Sequence, residues 1–325
     1  MSEPLRQSPP MMSVIMVTPD HCRSLRRTLK HLRAQSVADQ LEIVIIGPRE
    51  AVADYDLARE LGMFHSHQFI EGNPLESSAA AKATGIFVAT APIVAMTEDH
   101  SFPARGWAAA LIERHREPWA AVGPAMVNGN PQSVLSWTNM LIEYGPWVDP
   151  VESGEFEHLP PHNSSYKRDL LVEYADRLAA LLDAETVLHW DLRARGKRLY
   201  LESAAKTRHF NFAKWDSLIP LRLTVGRIFA GSRSRHWSPA RRILYVLASP
   251  AIPLIRFARV VGTTRRVRPN RLKLLATLFV GFVIDGFGEM LGYALGSTST
   301  EWKASKLEFH RERHLQPGDL PAFGE

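Results

Sequence analysis

Two short apolar runs bracket one amphipathic segment near the start of the chain, and this pattern constrains the fold more than any other feature. "MSVIMVT" (Met12 to Thr18) and "LEIVIIG" (Leu41 to Gly47) are rich in β-branched residues and too short for helices, and turn residues close both. Between them Asp20 can cap a helix, and "SLRRTLKHLRAQ" sets Leu25, Leu29 and Leu32 on one face. The alternation continues downstream. "SSAAAKATGIFVA" reads as a helix, "PIVAMTED" as a strand, "WAAALIERHRE" as a helix and "WAAVGPAMV" as a strand. Such alternation predicts an α/β domain with a mainly parallel central sheet and right-handed crossovers.

With 325 residues the chain is long enough for about two units. Its formal charge of +5 is unevenly spread: Ser217 to Ile284 holds thirteen Arg or Lys and no Asp or Glu, so the remainder is net acidic. That shift in composition marks a boundary. A single cysteine, Cys22, precludes an internal disulfide and fits a reducing compartment. The start, "MSEPLRQSPPMM", lacks the apolar core of a secretory signal, and a cytoplasmic location is expected.

"VAMTEDHSFPARGW" (Val94 to Trp107) carries the first chemical signal, because an apolar strand ends in Glu98, Asp99 and His100. In open α/β sheets ligands sit beyond the carboxyl ends of the strands. Carboxylates and an imidazole at such a place can hold a metal, although the same cluster also reads as a helix cap or a solvated turn.

The ordered set of segments resembles family 2 nucleotide-sugar glycosyltransferases of the GT-A fold. "SVIMVTPDHCRSLRRTLKHLRAQS" is similar to the family's first strand and helix, with Thr18, Leu25, Thr28, Leu29, Leu32 and Gln35 in register. "AAAKATGIFVATAPIVAMTEDH" resembles its ARNxG helix and acidic metal motif, with Lys82 and Gly85 at the arginine and glycine positions. "HNSSYKRDLL" and "DAETVLHWDLRARGKRLYLESAAKTRHF" resemble two later motifs, so the match spans Ser13 to Phe212. Gly47 and Pro48 stand where the family has an acidic nucleotide-binding pair, which leaves the nucleotide open.

The resemblance implies roles. Asp99, His100 and His209 would hold a divalent metal, expected as Mn²⁺ or Mg²⁺, and the imidazoles in the set favour Mn²⁺ or a similar transition metal over Ca²⁺. Glu185 falls on the catalytic base, which takes the acceptor's proton in an inverting transfer. Thr18, Asp20, Lys82, Glu98, His162 and Asn163 would contact a nucleotide-diphosphate sugar donor or the acceptor. Read without the family, Glu185 and Lys82 are ordinary helix residues, His209 a core histidine, and His162 with Asn163 a turn.

The second part differs in character. "ILYVLASPAIPLI" (Ile243 to Ile255) and "LLATLFVGFVI" (Leu274 to Ile284) are uncharged, shorter than the ~20 residues of a span, and flanked by arginines. That combination suits docking on an anionic membrane surface. The interleaved residues are aliphatic, which argues against a nucleic-acid partner. Gly281, Asp285, Gly288, Gly292 and Gly296 share one helical face, a small-xxx-small seam for a neighbouring helix or a second copy.

The expected organisation is a flexible stretch over 1–11, a GT-A catalytic domain over 12–215, a helical membrane-docking region over 216–298 and a polar tail over 299–325. The expected activity is metal-assisted, inverting sugar transfer at the cytoplasmic face of a membrane, to a lipid-linked or membrane-proximal acceptor of a cell-envelope glycan. Competing expectations are a catalytically degenerate binding or scaffold protein and a nucleotidyltransferase.

Overall fold

The computed structural model describes residues 8–19, 23–52, 56–267, 269–297 and 301–324. Asp20, expected as a helix cap and donor contact, lies outside them. The first unit forms as its pattern dictates. β1 (Met12–Val17) and β2 (Leu41–Gly47) pair in parallel on either side in sequence of α1 (Arg23–Arg33). Alternate residues serve opposite faces: Val14, Met16, Ile43 and Ile45 join Leu25, Leu29 and Leu32 of α1 in one core. Ile15, Val17, Val44 and Ile46 face the other. A sheet covered on both sides explains why these strands read as unbroken apolar runs.

α2 (Leu57–Leu61), β3 (Ser66–Glu71), α3 (Ser78–Val88), β4 (Ile93–Glu98), β5 (Ser101–Pro103), α4 (Trp107–Arg114) and β6 (Ala121–Asn128) follow. α3 lies close on the second face because Gly85 has no side chain: a Cβ there would stand 2.6 Å from Ile15 Cγ2 and 2.7 Å from Ile46 Cδ1. Next come α5 (Val134–Tyr144), β7 (Gly154–Glu155), β8 (Ser165–Lys167), α6 (Arg168–Val172), α7 (Leu178–Leu182), α8 (Glu185–Ala194) and β9 (Leu199–His209).

The sheet is mixed, which corrects the expectation of a mainly parallel one. Its strand order is β3-β2-β1-β4-β8-β6-β9-β5, with β7 also on β9. β1, β2, β3 and β4 are parallel, but β8 runs against both β4 and β6, and β5 and β7 run against β9. The strands that break the pattern are only two or three residues long and carry too little periodicity to be seen in sequence.

The C-terminal half is helical: α9 (Trp215–Arg233), α10 (Pro239–Ala248), α11 (Ile252–Val260), α12 (Arg271–Leu295), α13 (Glu301–Glu308) and α14 (Leu320–Gly324). α12 crosses α9 at van der Waals contact through glycines. A Cβ on Gly288 would stand 2.4 Å from the Leu223 carbonyl oxygen, and one on Gly292 2.4 Å from that of Arg227. Gly281 meets Ile142 of α5 in the same way. The glycine face over 281–296 is therefore filled by helices of the same chain, not left free as a seam for a second copy.

Two further expectations change. The helical runs outrun the uncharged segments: α10 continues through a 3-10 turn at Ser249–Ala251 into α11, so that Pro239–Val260 and Arg271–Leu295 are 22 and 25 residues long and, with mean hydropathies of 1.5 and 1.7, are long and apolar enough to cross a membrane. The expected polar tail is folded, with Phe323 and Leu315 in an apolar cluster with Phe102 and Phe210.

Candidate active site

The register of the sheet assembles the site. β4 ends at Glu98, the chain turns through Asp99 and His100, and β5 pairs with β9 so that Ser101 lies opposite His209. The shift between Pro124 and Ala125 in the pairing of β6 with β9 lets β9 bulge between Glu202 and Lys206 and still bring His209 opposite Asn128. Two histidines over a hundred residues apart thus meet one carboxylate.

Donor atoms of Glu98, His100 and His209 lie within 4.8 Å of one another. His100 Nε2 is 3.5 Å from Glu98 Oε1, and His209 Nε2 is 3.4 Å from Glu98 Oε2. Each imidazole is oriented from behind. His100 Nδ1 donates to Asp99 Oδ1 at 3.0 Å, and His209 Nδ1 donates to Asn211 Oδ1 at 3.0 Å. Both Nε2 atoms are thereby left unprotonated as acceptors, the tautomer of metal-ligating histidines. Burial and the charge of Arg311 lower the His100 pKa, keeping the ring neutral as a ligand must be. Two imidazoles and a carboxylate suit Mn²⁺ or a similar transition metal.

The convergent set holds Glu98 where Asp99 was expected. Asp99 instead bonds His100, and its Oδ2 accepts from Thr18 Oγ1 at 3.3 Å. Thr18, expected against the donor, is fully buried beneath the cluster. Asn163 donates to Glu98 Oε2 at 3.0 Å, which places it behind the carboxylate.

Glu185, expected as the base, is the first residue of α8 and is 2% exposed. Its Oε1 accepts from the His162 backbone N–H at 3.0 Å and its Oε2 from the Tyr166 hydroxyl at 3.3 Å. His162 Nδ1 is 3.0 Å and Lys82 Nζ 3.9 Å from Oε1. Burial pushes the carboxyl pKa up, but the charge and hydrogen bond of His162, together with Lys82, pull it below the ordinary value. His162 is correspondingly raised: burial and Lys82 oppose its proton, and Glu185 outweighs them.

A cavity of about 860 Å³ joins these groups; Lys82, Glu98, His100, His162 and Glu185 line one end. The other end reaches α9, α11 and α12 at Arg222, Phe229, Ile255 and Phe282. Sequence reading missed Arg311, Glu308, Asn211 and Tyr166. Arg311 donates to His100 Nε2 at 2.5 Å and to Glu308 Oε2 at 2.6 Å, from a segment that bears no motif.

No family model matches the sequence, and no curated protein does. A solved mannosyltransferase, PcManGT from Pyrobaculum calidifontis in complex with GDP-Man and Mn²⁺, is similar over 91% of this chain and 91% of its own, with a TM-score of 0.54 at 15% identity. GalNAc-T7 with UDP, GalNAc and Mn²⁺ is similar over 62% of this chain, which spans only 43% of that structure, with a TM-score of 0.47 at 13% identity. The Pyrobaculum likeness covers more than the sheet domain alone, so the fold shared with that glycosyltransferase extends into the helical half.

Proposed function

We propose that this chain is a metal-assisted glycosyltransferase that moves a sugar from a nucleotide-diphosphate donor to an acceptor hydroxyl. The observation that carries the reading is that Glu98 and His100 of the metal-ligand cluster and the ionised Glu185 line one cavity. The fold shared with PcManGT, a mannosyltransferase solved with GDP-Man and Mn²⁺, supports it.

A divalent metal held by Glu98, His100 and His209 would supply Lewis-acid stabilisation of the charge that develops on the departing diphosphate. The chain's own groups do the rest. Thr18, Asp99, Asn163 and Asn211 fix the ligands, so no side chain has to reorganise when charge appears. Glu185, an anion held by the His162 N–H and the Tyr166 hydroxyl, would take the proton of the acceptor hydroxyl as its oxygen attacks the anomeric carbon. Attack opposite the leaving diphosphate inverts that centre, the family 2 outcome. Lys82 Nζ, 3.9 Å from Oε1, adds its charge to that of His162 in holding Glu185 ionised, rather than acting on phosphate.

The acceptor is lipid-linked or membrane-proximal in this reading, and the protein works on the cytoplasmic face. Support comes from the far end of the cavity, which opens among helices whose outer faces are apolar.

The test is nucleotide-sugar turnover with Mn²⁺ or Mg²⁺, screened over UDP- and GDP-sugars. Glu185→Gln keeps the shape but cannot accept a proton, so turnover should fall by about 10² to 10⁴ with donor affinity unchanged. Full turnover in that variant overturns Glu185 as base. Binding of a nucleotide sugar without turnover in the wild type marks a scaffold, and pyrophosphate release from a sugar phosphate and a nucleoside triphosphate marks a nucleotidyltransferase.

A further inference from the structure

Arg311 holds the lone pair that a metal needs. His100 donates a hydrogen bond from Nδ1–H to Asp99, so Nε2 is its single acceptor, and Arg311 Nη2 donates to it at 2.5 Å. One lone pair cannot accept that proton and ligate a cation together. A metal entering the cluster must therefore displace the guanidinium.

The guanidinium is suited to a second partner. It is buried, its carbon lies 4.0 Å over the Phe212 ring, and Glu308 is its ion-pair partner at 2.6 Å. Among the described residues its Nε and Nη1 are buried with no hydrogen-bond acceptor. Buried donors are rarely left unpaired, and the planar fork holds these two beside Nη2, next to the cluster. Arginine's fork matches pairs of phosphate oxygens.

The backbone around Arg311 is anchored, so only its side chain has to move. The Ala213 N–H donates to the His314 carbonyl at 2.9 Å, Lys214 Nζ to that of Arg313 at 2.8 Å, and Asn130 Nδ2 to Asp319 Oδ2 at 3.2 Å.

We propose that Arg311 is a diphosphate-binding residue of the donor site, and that it exchanges the His100 nitrogen for phosphate oxygens when the metal enters. The proposal rests on the glycosyltransferase reading above. Two cations on one imidazole repel each other, whereas a diphosphate between them satisfies both. The C-terminal segment thus supplies a positive charge that guards the ligand cluster before the donor arrives and binds the donor afterwards.

The experiment is calorimetry on the full chain, wild type and Arg311→Gln, first with Mn²⁺ alone and then with UDP and GDP at saturating Mn²⁺. Loss of one charge-assisted hydrogen bond predicts Mn²⁺ alone binding about ten-fold tighter to Arg311→Gln, and the nucleoside diphosphates about ten-fold more weakly. Uridine and guanosine, which lack phosphate, should bind both proteins alike. If Arg311→Gln does not unfold cooperatively, Arg311→Met, which fills similar length without charge or donor, carries the test with the same signs. Unchanged Mn²⁺ affinity in the variant, with loss of Mn²⁺ binding in His100→Ala, overturns the exchange and leaves the metal reading standing. Tighter Mn²⁺ binding with undiminished diphosphate affinity overturns the diphosphate role. Absence of Mn²⁺ binding by every protein overturns the metal reading and the exchange with it.

Discussion

Asn163 donates to Oε2 of Glu98 at 3.0 Å, the oxygen that also lies 3.4 Å from His209 Nε2. Ser101 Oγ donates to the same oxygen at 3.2 Å. The carboxylate is thus held by two donors before any ligand arrives. Asn163→Ala should leave the ligand set intact but let Glu98 turn, lowering Mn²⁺ affinity by about 10- to 100-fold in calorimetry. Unaltered affinity would show that Ser101 alone suffices.

Asp99 and Glu98 are adjacent in sequence, yet their roles separate in space. Asp99 braces His100 from Nδ1, whereas Glu98 faces both Nε2 atoms. Glu98→Ala and His209→Ala should abolish measurable Mn²⁺ binding, and Asp99→Ala should weaken it by about 10- to 100-fold. The reverse order, with Asp99→Ala abolishing and Glu98→Ala retaining binding, would restore Asp99, His100 and His209 as the ligands.

The His162 and Glu185 pair makes stability depend on pH with a fixed sign. His162 is raised above its ordinary 6.5 by Glu185, despite burial and Lys82, so its contribution is complete below that value and is lost as pH rises through the folded-state pKa. Glu185 is lowered below 4.5, so its contribution is present above that value and is lost as pH falls through the depressed pKa. Because His162 has φ 63°, asparagine is the substitution that tolerates its backbone. His162→Asn should therefore be destabilised relative to wild type in urea at about pH 6, and the gap should narrow by about pH 9. A gap that widens with pH would mean the pair is not charged as described.

What was legible in sequence and what was not divides along physical lines. Leu41–Gly47 forms a strand over the residues expected, and Leu25, Leu29 and Leu32 are fully buried, because apolar periodicity is local information. Ser165–Lys167 was invisible, being a three-residue strand set by its neighbours β4 and β6. "EDH" advertised the site, but which carboxylate faces the imidazoles depends on the turn after β4. Arg311 meets His100 from 211 residues away, a contact that leaves no periodic trace.

The glycine repeat of α12 was legible as a helix-packing face, but its partner was not. A Cβ at position 292 would stand 2.4 Å from the Arg227 carbonyl oxygen and 2.7 Å from Ala230 Cβ, so α9 and α12 would have to separate. Gly292→Ala should cost about 1 to 3 kcal/mol in denaturant unfolding, typical of overpacking. The loss should be the same at all protein concentrations. A stability change that appears only as dissociation of a dimer would move the seam back to an interface between copies.

The proposal of a membrane-proximal site draws on the outer face of the helical half. In Pro239–Val260 only 11% of the apolar window is buried, and Leu244, Leu247 and Leu254 are 61%, 74% and 62% exposed. Leu272, Phe279, Val283 and Phe287 extend that apolar surface along α12, beside the exposed cations Arg265, Arg271 and Lys273. α12 packs its other side on α9 and α5, with 44% of its window buried, which favours lying on a bilayer over crossing it alone. Binding to anionic vesicles should have two separable parts. Apolar insertion is worth near 25 cal/mol per Å² and does not respond to salt, whereas each cation contributes on the order of 1 kcal/mol that salt removes as the Debye length falls from ~10 Å to ~3 Å. Arg265→Gln with Arg271→Gln should weaken binding in 0.1 M salt and change little in 1 M salt (about 10-fold more screening electrolyte). Leu244→Gln with Leu247→Gln should weaken it at both. Retention of the wild type in the pellet after alkaline extraction would indicate a span, and equal recovery of all three proteins in the vesicle-free fraction at low salt would show that these helices meet something other than lipid.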